Sequence, residues 1–431
     1  MNIKLTLGAT SLVAILAITG CEVDSSASDG SSTTSFTQVK DLSATEKATT
    51  ISTALTAYAD YALNSYTTAK TDAEALQTAL KAFTDAPTEA TLQVAKNAWL
   101  QSRESYGITE ALRLSEGPID AESGYGTTFG TPEGQLNAWP LDENYIDYTT
   151  AADGSITSGN IIDGTESITK ASLAVLNEVG GDTNVATGYH AIEFLLWGQD
   201  QDYNSFIADN ITNGALEAGA RPLSDYTTNA NADRRKSYLN ATAELLVDDL
   251  TSMVNAWGKG GDTYRDALLG THSTTANNLT QTTALTQILS GIGVFIKSEL
   301  ANERIAVAAL TPSEEDEHSC FSDNTHRDID LNYIGFKNVL EIFKSNLSTT
   351  QQTSLNTQIA SIDAKVATIN SVATSDYHFD YQILEANGQL QNIINAKNEM
   401  RDLGDAVVSV ASEYGISIST SDVTDSGETS I

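Results

Sequence analysis

The sequence predicts an all-α protein: two antiparallel helical-bundle domains packed side by side, with long irregular loops at their interface. Three observations predict it. Alanine, leucine, glutamine and isolated valines recur at three- and four-residue spacing through most of the chain. Proline is scarce, six in 431 residues, so few helices are interrupted. No alternating polar–apolar stretch is long enough to make a strand. Long helices joined by short turns favour antiparallel bundles.

Taken in order, residues 1–20 read as a signal peptide. Lys4 precedes an apolar run from Leu5 to Ile18, followed by Thr19-Gly20-Cys21. The run is too short to span a bilayer and fits a secretory signal. The small residues before Cys21 resemble a bacterial lipobox, which makes Cys21 the expected lipidated first residue. Glu22, in place of the aspartate linked to inner-membrane retention, points to the outer membrane of a Gram-negative bacterium. Residues 21–43, rich in Ser, Thr and Asp, are expected to be a flexible tether. Helices are expected at 45–69, 71–84, 88–115, 165–179, 186–197, 230–257, 277–310, 332–345, 350–372 and 378–414. Pro87 suits a first helical turn, and Pro312 a position just past a helix end. The natural division is a first bundle at 44–250 and a second at 251–416, with 417–431 a disordered tail. Residues 116–160 and 198–229 are rich in Gly, Asp, Asn and Tyr. Irregular stretches of that length tend to be functional.

Composition excludes several functions. The formal charge is −34, which repels phosphate backbones and anionic headgroups. Nucleic acid is therefore not a partner, and membrane contact is left to the lipid anchor. The two cysteines, Cys21 and Cys320, make neither a disulfide scaffold nor a multi-thiolate metal site.

Four segments carry residues able to do chemistry. The first is Gly188-Tyr-His-Ala-Ile-Glu-Phe-Leu-Leu-Trp-Gly198. His190 and Glu193 lie one turn apart on a single helix face, with Trp197 beside them at about 340° from His190 when each residue advances about 100°. Apolar surroundings make a lone carboxylate costly unless it is paired or bound to a cation. The pair is thus half of a metal site or acid/base pair, or a packing device that pins a bundle. The second segment, 99–114, places Arg103, Tyr106, Glu110 and Arg113 in one polar stripe. Gly107 within it suggests close approach by another element. The third, 137–148, concentrates aromatics with Asp142, Glu143 and Asp147, oxygen ligands suited to hard cations. The fourth, 314–328, holds His318, His326, Arg327 and Asp328 among acids, just after Glu299 and Glu303, which are spaced one turn apart.

Together these segments resemble the imelysin family. GYHAIEFLLWG is similar to its GxHxxE signature. RESYGITEAL, NAWPLDENYIDY, GARPLSDY with ADRRKSYL, and DEHSCFSDNTHRD resemble further family segments, nearest the iron-regulated protein A branch. The resemblance runs from about residue 45 to 415. It implies two helical bundles with a functional cleft between them, in a bacterial envelope lipoprotein concerned with iron. By position it makes His190 and Glu193 the expected metal ligands, joined by Glu110 and Asp142. Gly188, Arg103, Arg113, Trp197, Glu303, His326, Arg327 and Asp328 are the expected lining. The expected cofactor is iron, as an ion or a chelate, with zinc or another divalent metal as the alternative. The expected protein partner is an envelope iron-transport component. Because imelysin was described as a protease, a metal-dependent peptidase is the competing function. That chemistry needs three protein ligands, an open position and a base, and no second histidine lies near His190 in sequence.

Overall fold

Helix boundaries follow capping chemistry. The computed structural model describes residues 38–150, 154–200, 218–310, 312 and 316–427. The signal peptide, Cys21, the tether to residue 37 and residues 201–217 of the second long loop lie outside them. Ser43 accepts the amide of Glu46, whose side chain reaches back to the Ser43 amide. This capping box opens α1 (Ala44–Asp85), one helix where two were expected. No break occurs at residue 70, since Lys70 continues the helix and pairs with Glu74 one turn on. Thr88 and Thr91 make a similar reciprocal pair at the start of α2 (Glu89–Tyr106), which leaves Pro87 just outside the cap. Beyond Tyr106 the backbone tightens into a 3-10 segment, Gly107–Leu112. The stripe expected across 99–114 therefore does not continue on one helical face.

Then follow α3 (Gly188–Trp197), α4 (Ala232–Ala256), α5, α6 (Thr325–Lys344), α7 (Thr349–Ser375) and α8 (Leu390–Glu413). α5 changes register along its length. Gln281–Val294 is α-helical, Phe295–Ala306 is π-helical and Val307–Leu310 is α-helical again. α6 starts at Thr325, seven residues before the expected 332, so His326, Arg327 and Asp328 are helical. The helix expected at 378–414 is divided into a short turn, Phe379–Gln382, and α8. Between 116 and 160 the chain forms short helical turns and one antiparallel pair, Thr149–Thr150 with Ile156–Thr157.

α1 packs along α2 and α4, and α3 lies against α2 and α4. α8 packs against α7 and the π segment of α5, and α6 lies on the 3-10 segment after α2. That last contact requires Gly335, where a Cβ would stand 2.4 Å from the Ile108 carbonyl oxygen. Residue 250, the expected division, falls inside α4. The expected tail is docked as far as Asp425: Val423 is fully buried, and the Asp425 amide donates to Ser298 Oγ at 2.9 Å.

Candidate functional site

The site begins at the first residue of α3. Gly188 has φ +83°, and a Cβ there would lie 2.4 Å from the Leu136 carbonyl oxygen. Only glycine suits both the left-handed backbone and the approach of the 133–137 turn. The helix that follows is apolar and buried along its whole length, on the His190 face as on the other. His190 and Glu193 are both inaccessible, with Nδ1 2.9 Å from Oε2. Glu193 Oε1 accepts the Ser322 amide at 3.0 Å and the Ser322 hydroxyl at 2.6 Å. His190 Nε2 is buried without a protein partner.

The second histidine comes from 128 residues further on. The His318 ring stands edge-on to His190, with centroids 4.6 Å apart. Trp139 covers both, at 4.9 Å from His190 and 6.4 Å from His318. Asp328 Oδ2 lies 3.0 Å from His318 Nδ1 and also accepts the Ser319 hydroxyl. Asp328 Oδ1 accepts from Arg103 Nη2 at 2.8 Å and Nε at 3.2 Å. Arg103 is fully buried among Trp99, Tyr106 and Tyr189 and also donates to Asn137 Oδ1. A carboxylate on Nδ1 fixes the tautomer: Nδ1 carries the hydrogen and Nε2 the lone pair, with Asn137 Nδ2 at 3.4 Å.

Electrostatics keep both imidazoles neutral. Burial, reinforced by His318 and Arg103, pushes His190 well below its ordinary value. Burial and Arg304 push His318 down to about 4 despite Asp328. Burial lifts Glu193 to about 8 against the Ser322 hydrogen bonds. Asp328 goes the other way: burial would raise it, but Arg103, His318 and Ser319 hold it well below the usual carboxylate range. A protonated Glu193 donates to His190 Nδ1 and leaves the hydrogen on Nε2. An ionised Glu193 takes the Nδ1 hydrogen bond and frees the Nε2 lone pair, the carboxylate–histidine arrangement that serves metal ligands.

Outside this pair lies a cleft of about 480 Å³ whose lining includes Trp139, His318, Arg113, Glu133, Glu299, Glu303 and Arg304. Arg113 pairs with Glu299 at 2.9 Å and Glu133 at 3.4 Å. Arg304 pairs with Glu299 at 2.9 Å and Glu110 at 2.5 Å. These cations hold Glu110 and Glu299 ionised in spite of burial, Glu299 at about 2.

The expected residues therefore divide. Gly188, His190, Glu193, Arg103 and Asp328 form one connected centre, and Arg113 and Glu303 line the cleft beside it. Glu110 is bound to Arg304 and Arg113. Asp142 is an exposed helix cap accepting the Asn144 amide at 3.0 Å, its carboxylate used by the backbone. Trp197 packs on Trp99, 5.3 Å between centroids, and lines a separate small pocket with Arg221. His326 Nδ1 lies 3.1 Å from the Asp323 carbonyl oxygen, and Arg327 pairs with Glu104 and Asp330. His326 and Asp328 are two residues apart on a helix and so project about 200° apart, which turns His326 away while Asp328 meets Arg103. The residues missing from the expected set are His318, Trp139, Asn137, Ser319, Ser322 and Arg304. The first five lie in the 137–148 segment or in the 314–328 stretch, which read as rich in functional groups. Nothing in the sequence pairs Arg304 with Glu110. Among the described residues, no three His, Cys, Asp or Glu side chains converge to hold a metal ion.

Iron-regulated protein A of Synechococcus elongatus is 28% identical over 277 residues, 64% of this chain and 60% of that protein. The chain thus matches about three-fifths of the length of this curated relative. A crystal structure of an iron-regulated protein A precursor from Parabacteroides distasonis superposes with a TM-score of 0.63 at 18% identity, covering 87% of this chain and 99% of that one. It shares the all-α fold. The family model for imelysin, a peptidase family by its name, matches residues 62–407, which contain every residue of the His190–His318 centre. The chain belongs to the imelysin family.

Proposed function

We propose that the chain is an iron-binding protein that holds iron, as an ion or within a chelate, in the cleft outside His190 and His318 for iron acquisition. The observation carrying this reading is His190 Nε2, a fully buried ring nitrogen with no protein partner, beside a second neutral imidazole. Neutral imidazole is a good ligand for first-row metals. The outer partners that orient such ligands are already placed, Glu193 on one ring and Asp328 on the other. Zinc or another divalent metal would meet the same nitrogens. Iron is favoured by the name of the Synechococcus relative, iron-regulated protein A. In this reading Cys21 carries the lipid that anchors the chain to the outer membrane, and an envelope transport component receives the iron. A peptidase needs a free base for metal-bound water. Both oxygens of Glu193 are engaged, by His190 and Ser322, which favours binding over catalysis.

Elemental analysis of the protein from iron-replete cells, beside His190→Ala, tests the proposal. Iron is expected in the wild type and lost on substitution, and added iron should raise the wild-type melting temperature. Wild-type protein that carries no iron, and whose melting temperature iron leaves unchanged, would overturn it.

A further inference from the structure

The centre supplies too few ligands for a bare ion and too much space around one. His190 Nε2 and His318 Nε2 are its ring nitrogens not turned to a carboxylate, and both oxygens of Glu193 are occupied. No third His, Cys, Asp or Glu among the described residues completes a ligand set. The adjoining cleft, about 480 Å³, has the volume of a small-molecule site rather than an ion cage. Its walls bear six carboxylates, Glu133, Glu178, Asp182, Glu299, Glu303 and Asp316, against two guanidiniums, Arg113 and Arg304. Both guanidiniums are already matched by Glu299, and further by Glu133 and Glu110. Glu178 is raised by partial burial and by its neighbour Asp182, as two carboxylates on one wall are.

We infer that the cleft takes its metal as a cationic complex carrying its own nitrogen or oxygen donors. Glu178, Asp182 and Asp316 hold the outside of that complex, while His318 lines the cleft beside them and His190 is buried behind it. The carboxylates accept hydrogen bonds from ligand N–H or O–H groups and match the positive charge, and the metal keeps most of its donors. An anionic complex would meet the same wall as repulsion. This inference rests on the metal-binding reading of His190 and adds the chemical class of what is bound.

The test uses hexaamminecobalt(III), a substitution-inert cation that offers only N–H donors, and hexacyanoferrate(III) as its anionic counterpart. Calorimetric titration of the signal-free full chain should give one tight hexaamminecobalt site, and none for hexacyanoferrate. Glu178→Gln with Asp182→Asn should weaken that site by about tenfold, the scale expected for removing two charges facing a trivalent cation in a screened cleft. Glu122→Gln with Glu385→Gln, two exposed acids elsewhere, should leave it unchanged. Equal binding of the anion, or cation binding indifferent to the Glu178 and Asp182 changes, would overturn the inference. If iron is lost in His190→Ala yet the cobalt complex ignores the cleft acids, this inference fails and the iron reading stands. If the cobalt site behaves as described and iron content does not depend on His190, the iron reading fails and the cationic cleft stands.

Discussion

Asp328→Asn keeps the shape of the side chain and removes its charge from the middle of the site. In the wild type Arg103 is fully buried and directs two nitrogens to one Asp328 oxygen, at 2.8 and 3.2 Å. Charges about 4 Å apart at an effective dielectric of about 20 attract by about 4 kcal/mol. Removing one partner of a buried pair costs about 3–5 kcal/mol, since the other is stranded. Arg103 would keep Asn137 and three aromatic faces, which offset part of the loss, so about 3 kcal/mol is expected. Urea unfolding at pH 7 would read it as a lower midpoint. The acid limb should change as well. Asp328 is held below its unfolded value, so just below about pH 4 the unfolded chain binds the extra proton. The stability this contributes is present above pH 4 and lost as pH falls further. In the variant that part of the acid slope disappears. A loss below about 1 kcal/mol with an unchanged acid limb would show that Arg103 is neutralised elsewhere, and would refute the account of the centre as a network built on this pair.

Three further outcomes follow from named contacts. Gly188→Ala forces a Cβ to 2.4 Å from the Leu136 oxygen at φ +83°. It should cost about 3 kcal/mol in thermal unfolding, about 1–3 of it backbone strain, and lower iron content by displacing His190. A loss under 1 kcal/mol would contradict the need for glycine. Asp249→Asn should stabilise the protein at pH 8 by about 2 kcal/mol and not at pH 4. Burial lifts Asp249 to about 7, and a raised carboxyl contributes stability at low pH that is lost as pH rises through its folded value. Equal stability of variant and wild type across that range would remove the explanation. His378→Ala removes the ring nitrogen 2.5 Å from Asp323 Oδ2, one residue from the Ser322 that holds Glu193. Iron affinity measured by competition should fall several-fold with about 1–3 kcal/mol of stability; unchanged affinity would show that the 321–324 turn is held without it.

The sequence was most informative where a contact is local. His190 and Glu193 are three residues apart, so helix geometry alone brings them together. Apolar neighbours were enough to say that the carboxylate needed company. Gly107 signalled a close approach, and a Cβ there would stand 2.8 Å from the Leu331 Cβ. Asp142 also had a local signal, an aspartate directly before Glu143 at the start of a turn, which is a cap pattern and outranks a metal reading. Contacts made across the chain were not legible. Arg103 meets Asp328 at a separation of 225 residues, and His318 reaches His190 only because the 316–324 turns fold back over α3. His326 entered the expected lining through the family resemblance, which carried no sign that α6 begins at Thr325. A helix beginning at Thr325 sends His326 and Asp328 to opposite sides, and a loop would not.

The π segment of α5 bears on this wall in a different way. Glu299 and Arg304 are five residues apart, yet Arg304 Nε and Nη2 lie 3.2 and 2.9 Å from Glu299 Oε1. In an α-helix such residues point about 140° apart; in the wider π register they stack. One side of the cleft is therefore wound one residue wide, and the Glu299–Arg304 pair belongs to that register. Deleting a single residue between 299 and 304 would let the helix tighten, and everything beyond would turn by about a quarter to a third of a revolution. The Glu299–Arg304 pair on the cleft wall is thus a product of the helix winding, and a ligand that competes for either side chain meets a pair that an α-helical turn would not have formed.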